Sequence, residues 1–416
     1  MKILLINLFH YRRGGSEVVY FNTADLLRSH GHEVIFFSQR WPENVSCPQS
    51  IYFCKGIDAN SPKLSDKIKG VVNYFYNGYA AKNLERLIKQ ERPDVAHIHL
   101  SWGALAPSIL PVLKKYNIPI VDSVHEYRMV CPAYTFKNGK GQVCEDCYPG
   151  HYLNCIIKRC SKGNIIFSCI MTMEMYFRNV FFHPVKYIDA FIYVSKFCRD
   201  VHLKHDTQFK NCYYEALYNF RNFDVVEYRD SRISTYNNYY LYYGRLSFEK
   251  GLSTLIEAFS KLDNQQLKIV GTGPLKEEIE KKCNESHLNN IEFCGYKAGA
   301  ELYDLVKRAK FVIVPSEWYE NNPMTIVEAY SLRTPVIGAA IGGITEIIRD
   351  NVTGYLFVSG SIESLTDALN KSLCLGEDEY KKMKDNAERF SDDNFDSEVH
   401  YQKLIAIYKK VTNNVE

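Results

Sequence analysis

Residues 311–348 read FVIVPSEWYENNPMTIVEAYSLRTPVIGAAIGGITEII, and this stretch decides the fold. FVIV is a short continuous apolar run ended by Pro315 and Ser316, the pattern of a strand buried on both faces. Asn321, Asn322 and Pro323 have the chemistry of a helix cap and first turn, ahead of an expected helix from Met324 to Ser331. TPVIGA supplies the next apolar strand. Strand, helix and strand in direct succession form one parallel crossover unit.

Working outward, the same alternation continues on both sides. Before the stretch come YYLYYGRL, a helix over 251–261, QLKIVG, a helix over 275–283, IEFCGY and a helix over 300–308; after it come a helix over 345–349 and GYLFV. Six strands alternating with helices predict a doubly wound parallel sheet. The beginning of the chain repeats the theme with KILLINLF, the turn HYRRGGSE, the helix pattern VVYFNTADLLRSHG and HEVIFF. A helix over 79–90, a strand over 94–99, a helix ending near Tyr116 and a strand over 118–124 follow. After a less regular stretch from Glu126 to about Pro184, AFIYVS, a helix and the ALYNF segment ending at Phe220 complete a first domain. The polar run from Arg221 to Asn238 suits a linker. The expected organisation is α/β: a first Rossmann-like domain over 1–225, a second over 226–392, and a terminal helix over 393–416.

Composition bounds the function. The chain has 416 residues, 46% hydrophobic and 24% charged, with a formal net charge of +3, which excludes disordered, collagenous and supercharged classes. No run of 18 uncharged apolar residues occurs, and the basic residues of MKILLINLFHYRRGGSE follow the apolar stretch, the reverse of a secretory signal. A cytoplasmic protein with no membrane span is expected. Residues 1–230 carry 29 Lys and Arg against 21 Asp and Glu, a net of +8, whereas residues 231–416 carry 22 against 27, a net of −5. No nucleic-acid motif accompanies the basic half.

The chemistry-bearing residues concentrate in the second half. Arg245 and Lys250 flank a strand-to-helix turn, where two cations are placed to meet an anion, although a solvated surface pair has the same spacing. Gly271, Gly273 and Pro274 form the next such turn. Glu320 stands just before the 324–331 helix and Glu328 lies within it. The helix N-terminus offers N–H groups to a phosphate, and the carboxylates accept from sugar or ribose hydroxyls; a dipole-favoured or solvated glutamate is the simpler alternative.

GRLSFEKG, IVGTGPL, FCGY, and the Glu320 to Glu328 element followed by PVIGAAIGGITEII resemble the retaining nucleotide-sugar glycosyltransferases of family 4. GGSEVVY, HGHEV, PDVAHIH, VDSVHEY and IYVSKF extend the resemblance over the first domain. It implies the GT-B fold, two Rossmann-like domains facing across a cleft, with an acceptor-binding first domain, a nucleotide-sugar-binding second domain and a last helix that crosses back to the first. By the same resemblance Arg245 and Lys250 neutralise the donor diphosphate and stabilise its departure, Glu328 accepts from the ribose, and Glu320 accepts from the donor sugar. The backbone of Asn322, Pro323, Met324 and Thr325, with Gly271 and Gly273, binds the donor. Gly14 and Gly15 let the first domain's backbone approach the diphosphate, and His125 touches the donor sugar. Glu126 is left between an acceptor contact and a structural partner; His97 and His99, inside an apolar strand, are expected to be structural. Where many relatives carry E-x-F-G, this chain has Glu320-Asn321-Asn322-Pro323, so donor identity does not transfer.

Two stretches stand outside this scheme. Of 13 cysteines, Cys131, Cys144, Cys147, Cys155 and Cys160 fall close together; the spacing suits a structural zinc site at Cys144, Cys147, Cys155 and Cys160, with Cys131 as alternate, or clustered reduced thiols packed as small apolar groups. No catalytic cofactor is expected. IIFSCIMTMEMYFRNVFF, residues 165–182, is either a core or acceptor-groove helix or a segment lying on an anionic membrane. The expected function is transfer of a sugar from a nucleotide diphosphate-sugar to a hydroxyl of a lipid-linked glycan in capsule, O-antigen or exopolysaccharide synthesis, at the inner face of the cytoplasmic membrane. The rivals are a nucleotide-sugar epimerase and a catalytically inactive scaffold.

Overall fold

The computed structural model describes residues 1–55, 64–225, 228, 239–262 and 264–413. Most of the expected linker, 226–227 and 229–238, lies outside the described residues. The chain forms two compact units, Met1–Leu217 with the final segment from His400, and Tyr218–Val399.

The first unit is built on β1 (Lys2–Asn7), β2 (Glu33–Phe37), the two-residue strands β3 (Gln39–Arg40) and β4 (Cys54–Lys55), β5 (Val95–Leu100), β6 (Ile120–Val124), β7 (Ala190–Tyr193) and β8 (Tyr214–Ala216). Its six-stranded sheet has the order β2-β1-β5-β6-β7-β8, with every pair parallel. β3 and β4 form a separate ribbon. The reversal of strand order falls between β1 and β5, so the crevice of a doubly wound sheet opens at their C-terminal ends. β1, β5 and β6 are almost entirely buried, as continuous apolar runs in a sheet covered on both faces should be. The eighth strand corrects the sequence expectation: pairing with β7 is made by Tyr214, Glu215 and Ala216, and ALYNF contributes only its first residue.

The second unit carries β9 (Tyr239–Tyr243), β10 (Gln266–Val270), β11 (Ile291–Gly295), β12 (Phe311–Val314), β13 (Val336–Ala339) and β14 (Gly354–Phe357) in the order β11-β10-β9-β12-β13-β14. All are parallel. Here the reversal lies between β9 and β12, which puts the turn bearing Arg245 and Lys250 beside the segment opened by Pro315. Two apolar layers sandwich the sheet, one holding Leu255, Ile269 and Ile313, the other Leu241, Val312 and Ile326.

The end of the chain departs from a single expected helix over 393–416. One helix runs Glu377–Asn394 and a second Ser397–Asn413. Between them Asp396 accepts from the amides of Glu398 and Val399 at 2.9 and 3.1 Å, restarting the helix as a side-chain cap does. Its carboxylate, with Asp392, also holds Arg221 at 2.9 Å. The last helix then buries Leu404, Ile407, Tyr408 and Val411 against Ile3, Val95 and Val121 of the first unit. Tyr408 reaches the sheet itself, its hydroxyl 2.6 Å from His97 Nδ1, while His97 Nε2 lies 2.8 Å from Ser123 Oγ. Burial holds His97 neutral, its pKa lowered to about 3. Replacing Tyr408 by Phe leaves the ring in place and orphans one histidine nitrogen, so the first unit should lose about 1–2 kcal/mol; chemical denaturation followed by a probe in that unit measures it.

Candidate active site

In the second unit the sheet's C-terminal edge assembles around Glu320. Its Oε1 receives Lys250 Nζ at 2.6 Å, Ser316 Oγ at 2.8 Å and Trp318 Nε1 at 2.8 Å. Lys250 also lies over the Trp318 ring, 5.4 Å from its centroid. Burial alone would raise the Glu320 pKa, but the Lys250 charge and the hydrogen bonds from Lys250, Trp318 and Ser316 outweigh it and hold the carboxyl below its ordinary value. The glutamate is therefore an anion with one oxygen fully engaged. Ser316 and Trp318 were not singled out from the sequence; their place between the strand end and Glu320 in PSEWYE is the signal that would have found them.

Backbone geometry brings these pieces together. Gly251 sits at φ 69°, and a Cβ there would strike the Pro315 carbonyl, so the turn after β9 closes directly onto the end of β12. Glu317 N donates to Glu249 O at 2.9 Å, and Gly343 N donates to Glu320 O at 2.7 Å, tying in the loop after β13. Gly342, at φ 60°, passes so close to the Glu320 backbone that a side chain would collide. Gly271 and Gly273 similarly abut the backbones of Gly244 and Leu246, so the turns after β9 and β10 are packed against each other. Arg245 is exposed on this edge.

The helix Met324–Ser331 starts where expected, but Pro323 is its N-cap rather than part of its first turn and supplies no side-chain cap. Proline lacks the hydroxyl or amide needed for that role. Asn322 does not cap either: its Oδ1 accepts from Asn219 N at 3.0 Å and its carbonyl from Asn219 Nδ2 at 2.9 Å. The Asn322 side chain thus anchors the loop, while the helix start leaves the first-turn amides at Met324 and Thr325 available to an anion. Glu328 lies on the same helix beside Tyr243, whose hydroxyl donates to Thr325 O at 2.8 Å. Desolvation raises the Glu328 pKa to about 7. The two glutamates, alike in sequence, have opposite electrostatics because only Glu320 faces a cation.

In the first unit His125 directly follows β6. Its Nε2 lies 3.1 Å from His99 Nδ1, with the rings stacked at 5.3 Å. Burial lowers His125 to about 4, and His99 well below the usual imidazole value, so both rings are neutral near pH 7. The expectation that His99 is structural gains content: it orients His125. Glu126 lies 3.5 Å from Arg128, which supplies a structural partner. Gly14 is the N-cap of the Gly15–Ser29 helix, and both glycines are exposed. Gly14 has φ −161°, an extended conformation open to any residue, so the turn itself does not demand glycine there.

Cys131, Cys144, Cys147, Cys155 and Cys160 gather in the first unit as free thiols. Burial pushes Cys147 up to about 12, with Cys131, Cys155 and Cys144 adding to the shift. A hydrogen bond from Cys160 lowers Cys155 to about 7, and Lys158 donates to Cys144 Sγ at 3.6 Å. Among the described residues no three Cys, His, Asp or Glu side chains form a group able to hold a metal. Cys155 lies against Cys160, and Cys144 faces the Lys158 ammonium.

Lys250→Ala tests the core of this arrangement. Glu320 has its folded pKa below its unfolded one, so its contribution to stability is present above about pH 4.5 and is lost as pH falls through the folded value. Without Lys250 that contribution disappears, and the variant should be less stable by about 1–3 kcal/mol at pH 7, discounted because the lysine is partly exposed. The deficit should shrink in acid; melting curves across pH measure it.

Comparison with known proteins follows the same division. The family model for glycosyl transferases group 1 matches residues 227–390, and that for Glycosyltransferase Family 4 matches residues 13–141. An uncharacterized glycosyltransferase of Methanocaldococcus jannaschii, MJ1178, is 24% identical over 391 residues, 94% of this chain and 93% of that protein. The O-antigen chain mannosyltransferase C of Escherichia coli is 26% identical over 174 residues, a match spanning 41% of this chain and 46% of that protein. The crystal structure of Anabaena Alr3699/HepE in complex with UDP-glucose superposes with a TM-score of 0.64 at 18% identity, covering 99% of this chain and 100% of that one, a likeness of fold. Matched in both halves by models of one family, and sharing its sheet architecture, the chain belongs to glycosyltransferase family 4 and is a transferase enzyme of the GT-B fold.

Proposed function

We propose that the chain transfers a sugar, with retention of configuration, from a nucleotide diphosphate-sugar to a hydroxyl of a lipid-linked glycan during cell-surface polysaccharide synthesis at the cytoplasmic face of the membrane. The observation that carries the donor reading is the edge of the second sheet: a fixed ion pair of Lys250 with Glu320, the exposed Arg245, and a helix N-terminus. Such a combination suits a ligand that is anionic at one end and rich in hydroxyls at the other. A nucleotide sugar is bound by the Anabaena neighbour, and a relative acts in O-antigen synthesis by its name; both support the reading.

In this reading Arg245 and Lys250 neutralise the diphosphate, and the amides at Met324 and Thr325 receive its oxygens. Glu320 has one oxygen held by three donors, which leaves the other to accept from a donor-sugar hydroxyl. Glu328 takes the ribose hydroxyls. In the first unit His125 is neutral and steadied by His99. The bond from the anomeric carbon to the phosphate oxygen breaks and its electron pair leaves with the nucleoside diphosphate. The acceptor oxygen then bonds to the same face of the sugar while its proton passes to the departing phosphate. Charge building on that phosphate is met by cations already in place.

The test is release of nucleoside diphosphate from a panel of nucleotide sugars with glycan acceptors, with the anomeric configuration of the product read by NMR. Arg245→Ala and Lys250→Ala should each lower kcat about 100-fold or more, and Glu320→Gln should slow turnover with no glycosyl-enzyme accumulating. Isolation of such an adduct, or an inverted product, overturns the one-face mechanism; isomerised donor without transfer points to an epimerase, and no turnover to a scaffold.

Acidity gives a second check. Since Glu328 ionises near pH 7 and only its anion accepts two hydroxyl hydrogens, affinity for a nucleotide sugar should tighten as pH rises through that value, and Glu328→Gln should flatten the profile. The diphosphate of a nucleotide sugar stays ionised throughout, so titration calorimetry between pH 6 and 8 isolates the glutamate, each pH unit below its pKa costing up to about tenfold.

A further inference from the structure

The helix Ile165–Phe181 is built inside out. Its only charged residues, Glu174 and Arg178, are 2% and 0% exposed. Arg178 Nε donates to Glu174 Oε1 at 2.9 Å, its Nη2 donates to the Arg128 carbonyl at 2.8 Å, and its guanidinium lies 4.7 Å from the Trp102 ring centre. Ser168 and Thr172 face inward too, accepting from Ser161 N at 3.0 Å and donating to Tyr152 O at 3.3 Å. Solvent receives instead Ile165, Ile166, Met173, Tyr176, Val180 and Phe181, with Ile166 and Val180 66% and 63% exposed. Positions 166, 173 and 180 recur every two turns and mark one stripe, opposite Glu174 and Arg178. A helix bathed in water carries the reverse pattern.

The neighbouring helix Leu64–Phe75 extends the stripe. It packs against the first through Phe75 and Phe177, whose rings are 5.6 Å apart, and it exposes Ile68 and Val72 beside Lys67 and Lys69. Between residues 147 and 188 the sequence has a single carboxylate, the buried Glu174, whereas Arg159, Lys162 and Lys186 stand exposed near the helix ends. The face is thus apolar along its length and cationic at its margins.

We propose that this face seats on an anionic lipid bilayer, with the Ile165–Phe181 helix lying in the plane of the headgroups. Its apolar stripe enters the acyl boundary and the flanking lysines and arginines meet lipid phosphates. The segment Ile165–Lys186 is long and apolar enough to cross a bilayer, but crossing would tear Glu174 and Arg178 from their partners in the first unit and carry an ion pair into hydrocarbon. Lying flat keeps every inward bond. The proposal rests on the reading above only for the presence of a membrane.

Flotation of the full chain with phosphatidylcholine vesicles, with and without phosphatidylglycerol, tests it. The protein should float with the anionic vesicles at low salt and much less with neutral ones. Ile166→Glu combined with Val180→Glu should weaken binding about tenfold or more, and Lys67→Glu with Lys69→Glu should do so by a similar factor. All four positions are exposed, so melting temperature and donor turnover in solution should be unchanged. The proposal fails if the wild type stays unbound at low salt, if the glutamate variants float as well as the wild type, or if the stripe instead holds a dimer that those variants dissolve. Measuring turnover on the same samples separates the two readings: turnover without flotation sinks the lipid surface alone, and flotation without turnover sinks the transferase reading alone.

Discussion

The contact on which the second unit's working edge depends is the one between Lys250 and Glu320. Lys250 comes from the turn after β9, Glu320 from the segment after β12, and the Glu320 carbonyl holds Gly343 from the loop after β13. One residue thereby gathers three strand ends that are far apart in sequence. A buried carboxylate has a large desolvation penalty, and the single cation with two neutral donors offsets it. The energy that keeps Glu320 ionised also sets the positions of Trp318, Ser316 and the start of the Met324–Ser331 helix.

The first unit solves the corresponding problem without charge. His97 and His99 lie within β5 and His125 directly after the adjacent β6, and burial keeps all three neutral. Their hydrogen bonds run in two directions, from His97 to Ser123 and Tyr408, and from His99 to His125. One side of this row fastens the terminal helix and the other presents an imidazole at the sheet edge. Polar groups confined in a low-dielectric interior hold their geometry because leaving any one unpaired is costly.

What was legible in the sequence is what depends on short-range pattern. Apolar runs punctuated by glycine turns gave both sheets, and the proline ahead of the apolar-periodic run placed the Met324 helix start to the residue, although no side chain caps it. What was not legible depends on which face a residue presents in three dimensions. IIFSCIMTMEMYFRNVFF has a helical period, yet whether Glu174 and Arg178 point to water or to Trp102 is decided by residues more than 40 positions away. His99 looked like strand interior because its contact with His125 crosses from β5 to the end of β6. The cysteine spacing brought the thiols together on paper, but the contact of Lys158 with Cys144 depends on the fold of the stretch. The break between the last two helices hinges on Asp396, whose capping role is visible only once Arg221 is seen to share its carboxylate.

The return of the chain to its first unit also orders events during synthesis. Strands β1 to β8 emerge before the second unit, yet the apolar layer over Ile3, Val95 and Val121 stays open until Leu404, Tyr408 and Val411 have left the ribosome. The stretch Tyr218–Val399 contains its whole sheet and both of its apolar layers, and so has what it needs to close while its predecessor waits. Loss of the residues from Leu404 to Val411 would spare the Tyr218–Val399 unit and strike the one made before it.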